Sequence, residues 1–406
     1  VITGLSVATA LGFELDRFWA NLLSGACGIS RVPNVPTDSP LPVKHAGCLD
    51  EAALATALAR FQLDDPDRAQ QLALYAVGAA LENAGLPTDG SVELPHDLVL
   101  GTGHGNVGYT NEAAAIFHRD GYRKLRPTTV IRAMFNRPAN VSSIRYRLTG
   151  SSFVVSCACA TGAIALGDAF IRVRFGLADQ AVAACADTGL DLPTFAAWNR
   201  LGVLSKIPEP ERSSRPFDLK RAGLVMGEGA AGFVVETLES AQARGVEILA
   251  EVVGYGSTCD AKHIVAPDSA QQVRAVQKAL AMAGLAPEQI GYINAHGTGT
   301  ELADVVEAAT LRAAFGTSID AIPVTNTKAQ LGHLMGATAG VELATTLLIL
   351  KHGQIPPCRN LDEPDPRCPL NFVRGEPLAA RPEYVLKNSF AFGGTNCALI
   401  LRRWSA

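Results

Sequence analysis

Cys159 lies in Ser156-Cys157-Ala158-Cys159-Ala160-Thr161-Gly162, between an apolar strand-like run and a small-residue helix. A thiol in that position faces the unpaired amides and positive end of the helix, which lowers its pKa and favours the nucleophilic thiolate. The alternative is that Cys157 and Cys159 are small core residues, the commoner fate of a cysteine. A metal role for the pair is poorly supported, because no second cysteine or histidine pair stands nearby at ligand spacing. His296 follows an apolar strand in Asn294-Ala295-His296-Gly297-Thr298-Gly299-Thr300. The carboxyl ends of such strands are where α/β folds place their ligands. His333 ends Lys328-Ala329-Gln330-Leu331-Gly332-His333, at the mouth of a buried helix. Lys328 is costly there unless paired, and Glu342, farther along the helix, is the expected partner. In Asn388-Ser389-Phe390-Ala391-Phe392-Gly393-Gly394-Thr395-Asn396 the glycines permit positive φ and close backbone approach. Such a turn suits an amide donor aimed at a developing oxyanion, with a plain hairpin as the alternative.

The elements that must position these residues alternate between strands and amphipathic helices, the pattern of an α/β fold. Strands are expected at 97–100, 152–156, 180–184 and 232–236, with a helix over 160–175. A second cycle begins near Leu249, with strands at 249–256, 290–295, 322–324, 384–389 and 397–402. Its helices are expected over 270–283, 301–315 and 332–351. In each half a strand leads into a nearly uncharged helix of small apolar residues, the mark of a buried helix. Two similar α/β halves, 1–248 and 249–406, are therefore expected to pack around their central helices.

With 406 residues, 48% hydrophobic, the chain can bury a large core. A formal charge of -4 argues against nucleic acid as a partner, since phosphate binding needs a concentrated basic surface. No apolar run is long enough to span a bilayer, and no targeting segment is visible. The chain opens without Met, so a short start is expected to precede it. Nine scattered cysteines make no disulfide framework and point to a reducing cytoplasm.

Taken in order, these segments resemble the β-ketoacyl-acyl-carrier-protein synthases of the thiolase superfamily, the elongating ketosynthases of type II fatty-acid and polyketide systems. The likeness runs from Ile2-Thr3-Gly4-Leu5 through Ser214-Arg215-Pro216-Phe217-Asp218 and Gly227-Glu228-Gly229-Ala230 to Phe392-Gly393-Gly394-Thr395-Asn396. It implies a thiolase-like five-layered αβαβα sandwich, normally dimeric. It also implies that Cys159 carries the acyl chain as a thioester, with the amides of Cys159 and Phe392 as oxyanion hole. His296 and His333 would bind the malonyl thioester carbonyl and support loss of carbon dioxide, and Lys328 would order the site through Glu342. Phe392, flanked by Ala391 and Gly393, would gate the acyl pocket. The implied partner is an acyl carrier protein, which brings its own phosphopantetheine, so no cofactor or metal is expected. The implied assembly is a homodimer or a heterodimer with a chain-length factor. A silent chain-length-factor-like subunit is disfavoured, because such subunits lack the nucleophilic cysteine.

Departures from the family pattern bear on substrate. Ala391 replaces a glycine before the gating residue, and its Cβ is expected to stiffen the loop. Ala222 and Leu224 replace Asp and Phe, and Gly299 and Glu301 replace Ser and Pro. His104 stands where a small apolar residue often lines the acyl pocket; a solvent-facing loop histidine is the alternative. The recruiting helix, usually basic, reads Asp64-Asp65-Pro66-Asp67-Arg68. Arg123, Lys124 and Lys206 still match basic docking positions, each alternatively an ordinary solvated charge. These changes favour a specialised polyene-type polyketide or unusual fatty-acid pathway over housekeeping fatty-acid elongation.

Overall fold

The computed structural model describes residues 1–405. Its main sheet has ten strands: β1 (Ile2–Ala8), β2 (Asp97–Gly101), β3 (Ser152–Val155), β4 (Gln180–Asp187), β5 (Gly229–Glu236), β6 (Ala250–Cys259), β7 (Ile290–Asn294), β8 (Val324–Thr325), β9 (Tyr384–Phe390) and β10 (Thr395–Arg403). They lie in the order β8-β7-β9-β10-β6-β1-β5-β4-β2-β3. The two halves of that order repeat one topology. From β1 outward the pairings run antiparallel, antiparallel, parallel, parallel. From β6 outward they run the same way. A single residue pair, Ile2 opposite Ala250, joins the half-sheets.

Helices separate and cover the half-sheets. α1 (Arg68–Asn83) packs on β1, β4 and β5. Between the half-sheets lie α2 (Thr161–Arg174) and, from the second half, the helix Thr338–His352. α3 (Ser269–Ala283) covers β6 and β10, with α4 (Glu301–Phe315) beside it, and Thr338–His352 is α5. The result is the expected five-layered αβαβα sandwich. Sequence follows layer: α3 buries Gln272, Ala275, Val276, Ala279 and Leu280, one face of a helix. Residues 338–350 of α5 are buried all round, as a helix between two sheets must be. It starts later than the expected residue 332, because Gly332 (φ 74°) and Met335 (φ 50°) hold left-handed backbone that no helix accommodates.

The two central helices approach where side chains are missing. A Cβ on Gly162 would lie 2.5 Å from the amide nitrogen of Gly340, and one on Gly340 would lie 2.2 Å from Cys185 Sγ. Gly162→Ala should therefore force the helices apart, lowering stability by about 1–3 kcal/mol. Urea unfolding monitored by circular dichroism checks this, and an unchanged midpoint would contradict the close approach.

Candidate active site

Cys159 sits in a single 3-10 turn, Ala158–Ala160, between β3 and α2. Ala158, just before it, is left-handed (φ 46°), a strained conformation for a residue with a Cβ. Thr161 Oγ1 fixes the turn, accepting from the Cys157 amide at 2.8 Å and donating to the Ala158 carbonyl at 2.6 Å. The second half repeats the device. Left-handed Met335 opens a 3-10 turn, Met335–Ala337, that leads into α5. There Thr338 Oγ1 meets His333 Nδ1 at 2.8 Å. The pseudo-equivalent turns thus carry Cys159 on one side and His333 on the other.

The ligand atoms of Cys159, His296 and His333 lie within 4.8 Å of one another, and all three side chains are buried. Burial pushes the Cys159 thiol up to about 11, against the pull of Lys328 and the Phe392 amide. The expectation of a depressed thiol pKa is therefore overturned. α2 begins only at Thr161, and desolvation outweighs what the Lys328 ammonium and the backbone amides supply. The backbone amides of Phe392 and of Cys159 itself both reach the sulfur.

Hydrogen bonding sets both histidine tautomers. His333 Nδ1 accepts from the Met335 amide at 3.0 Å, so its proton is on Nε2. His296 Nδ1 lies 3.5 Å from the Lys328 ammonium, which can only donate, so its proton is again on Nε2. Each ring keeps an N–H for the cavity it lines beside Cys159. Burial first, then the charge of Lys328, holds both imidazoles well below their ordinary pKa and hence neutral.

Lys328 and Glu342 pair at 2.8 Å as anticipated, both buried, and Lys328 also donates to the His296 carbonyl. Three further groups escaped the sequence reading. Glu307, from α4, accepts the His296 and Gly297 amides, each at 2.7 Å. Burial pushes its carboxyl up to about 7. Asp304, one turn earlier, accepts the Thr298 and Gly299 amides at 3.0 and 3.1 Å. Lys387, in β9, takes the second oxygen of Glu342 at 2.9 Å. Two carboxylates three residues apart, on the otherwise apolar face of a helix following the histidine turn, were the available signal for Asp304 and Glu307.

A pocket opens over these groups, lined also by Thr298, Thr300, Leu224, Trp198, Phe390 and the segment 263–267. Leu224 thus lies in the pocket as expected. Phe392 stacks on Trp198, with centroids 6.1 Å apart and planes 17° from parallel. The Gly393 amide donates to the Ile264 carbonyl at 2.7 Å, tying the turn to that segment. Positive φ falls on Gly393 (84°) and Gly394 (82°) and not on Ala391, so the Ala391 Cβ imposes no strain. His104 neither lines the cavity nor faces solvent. Its Nδ1 pairs with Asp187 at 3.0 Å and its Nε2 accepts the Trp198 indole N–H at 3.3 Å, so it braces the wall from behind.

The acidic stretch is largely engaged within the chain. Asp67 is buried and binds Arg132 and Arg137, and Asp65 binds Arg137 at 2.7 Å. Arg68 grips buried Glu228 through two bonds of 2.7 Å. These carboxylates are neutralised within the chain. Arg123, Lys124 and Lys206 are exposed. Glu301 is solvent-facing, 3.3 Å from Arg367.

Comparison with known proteins adds sequence and structural relatives. Residues 1–241 match the family described as Beta-ketoacyl synthase, N-terminal domain, and residues 249–362 match Beta-ketoacyl synthase, C-terminal domain. A protein named 3-oxoacyl-[acyl-carrier-protein] synthase 2 from Synechocystis is 34% identical, the match covering 100% of this chain and 98% of that protein. The solved ishigamide ketosynthase/chain length factor superposes with a TM-score of 0.92 at 32% identity, covering 100% of this chain and 99% of the other. An AntDE:AntF assembly, a type II PKS acyl-carrier protein in complex with its ketosynthase bound to the hexaketide, gives 0.91 at 25% identity over 100% and 99% of the two chains.

The buried thiol makes a direct prediction. Peptide-resolved iodoacetamide labelling of Cys159 should keep accelerating with pH beyond about 9, because the thiol titrates near 11. A rate that levels off below about pH 8 would contradict a burial-dominated thiol.

Proposed function

The chain belongs to the β-ketoacyl synthase family, and from that premise we propose which residues carry its acyltransferase chemistry and which acyl chains it takes. Cys159 attacks the thioester of an acyl carrier protein. The carbonyl oxygen becomes an oxyanion between the amides of Cys159 and Phe392, and the carrier thiolate leaves and takes the proton. A malonyl carrier thioester then enters, its carbonyl accepting from the Nε2–H groups of His296 and His333. Cleavage of the carboxylate bond releases carbon dioxide and leaves an enolate, whose charge those two donors stabilise. The enolate carbon attacks the acyl-Cys159 carbonyl and the cysteine sulfur departs. Lys328 and Glu342 position His296, and no strong base is required. The observation that carries this reading is the enclosed convergence of one thiol with two N–H donors.

The aromatic wall favours a specialised pathway. Phe392 and Trp198 stack on each other in the cavity wall, and His104 holds the indole in place. Planar conjugated chains pack well on such faces, which supports a polyene-type polyketide or an unusual fatty acid over the saturated chains of housekeeping elongation. Carrier docking falls to Arg123, Lys124 and Lys206, whose joint field would steer an acidic carrier helix. The chain works as a dimer, with a second copy or a chain-length factor. The unpaired outer edge of β3 and the exposed Tyr122, Val130, Ile131 and Ile144 support such an interface. Nine free cysteines suit a reducing cytoplasm. Among the described residues no helix is long and apolar enough to cross a membrane.

Incubation with acyl carrier thioester should give an acyl adduct by intact mass that Cys159→Ala abolishes; an adduct surviving that change sinks the nucleophile. Cys159→Gln should raise malonyl decarboxylation, whereas His333→Ala should lower it by about 10²-fold. Polyenoyl carrier thioesters should acylate Cys159 about tenfold faster than saturated ones of equal length, a preference of about 1.4 kcal/mol. Equal rates would return the chain to housekeeping elongation.

A further inference from the structure

Lys387 is the one charged residue of β9 and is 0% exposed. Its strand neighbours are Asn294 in β7 and Leu399 in β10, neither of which carries a counter-charge. The ammonium reaches Glu342 Oε2 at 2.9 Å and the carbonyl of Asn388. Glu342 Oε1 is already engaged by Lys328 at 2.8 Å. One carboxylate therefore serves two buried ammonium groups, with Glu307 the next acid in the field of Lys387, and burial holds Lys387 below an ordinary lysine. No other described acid touches either ammonium within ion-pair distance. Lys328 in turn contacts His296 at both its carbonyl and its Nδ1.

We propose that Lys387 is a positioning residue for the condensation, acting through Glu342 and Lys328 to leave one net positive charge beneath the His296–His333 pair, against which the anionic malonyl unit is seated and its enolate is held. This rests on the ketosynthase reading given above. The reaction brings negative charge towards this pair of ammonium groups, and a preorganised charge of this kind acts most strongly where water is excluded.

A second consequence concerns protons. The charged and titratable groups bearing on Lys387 are Glu342, Lys328 and Glu307, with the Cys397 thiol also in its field. Those bearing on the histidines are Lys328, Lys387 and His333 for His296, and Lys328, Lys387 and His104 for His333. All the latter are cationic or can become so. They oppose protonation of the imidazoles, so Nδ1 of each ring remains an acceptor in acid. Removing Lys387 removes one such charge and raises both histidine pKa values. Since the neutral rings are the working form, the acid limb of the rate profile then moves to higher pH.

The test uses full-length Lys387→Met, in which Lys328 still neutralises Glu342 one to one. Carbon dioxide release from malonyl carrier protein is measured from about pH 5 to 9, with Cys159 acylation followed in parallel. The acid limb is expected to lie at higher pH in the variant, with slower release at the acid end of the range and a several-fold higher KM for malonyl carrier protein. A variant profile superimposable on that of the unaltered protein overturns the proposal. If the unaltered protein releases no carbon dioxide at all, the ketosynthase reading has failed instead. Should Lys387→Met not fold, NMR of the ¹³C-histidine-labelled unaltered protein decides: His296 and His333 neutral to about pH 5 supports the proposal, and either ring protonating above about pH 6 overturns it.

Discussion

Two central helices cross where neither has a side chain, and the site depends on that contact. Gly162 of α2 and Gly340 of α5 meet backbone to backbone, with Cys185 filling the remaining space. This brings the starts of the two helices together, each preceded by a left-handed residue and a tight turn. One turn delivers Cys159 and the other is approached through His333. The half-sheets, identical in pairing pattern, clamp the helices from both sides. Duplication thus supplies two similar helix entrances, and divergence has given them different chemistry.

Desolvation then governs the chemistry. Inside so enclosed a pocket the uncharged form of each group is favoured unless a partner intervenes. Burial favours the protonated thiol and both neutral histidines, while Lys328 and Lys387 both pair with Glu342. A resting site of neutral donors above a buried cation has no strong base, and a decarboxylative route to a carbanion needs none. The same burial explains why two carboxylates of α4 are spent on the amides around His296: unsatisfied N–H groups there would cost about 1–3 kcal/mol each.

The sequence made some of this legible. Cys159, His296, His333 and the Lys328–Glu342 pair stand out because each is polar at the edge of an apolar segment, and the structure brings them together. Lys387 was hidden because a lone lysine in a strand normally reads as solvent-facing, and its partner lies forty-five residues away across a layer. The acidic stretch around Asp65 and Asp67 misled for the opposite reason: a charge run looks exposed, and the arginines that pair with it come from two short helices well over sixty residues later. His104 and Ala391 show the limits of reasoning by substitution. The first acts through Trp198 instead of lining the pocket, and the second sits at a backbone angle that tolerates its Cβ.

The central claim, that an acyl group on Cys159 is consumed by a decarboxylated malonyl unit held by the two histidines, is tested most directly by a single-turnover chase. Protein pre-acylated on Cys159 is mixed with malonyl carrier protein, and acyl-enzyme, carbon dioxide and carrier-bound product are followed together. One carbon dioxide released and one β-ketoacyl carrier thioester formed for each acyl group lost from Cys159 is the expected result. Carbon dioxide release while the acyl group stays on Cys159, or its loss to water without a condensed product, would contradict it.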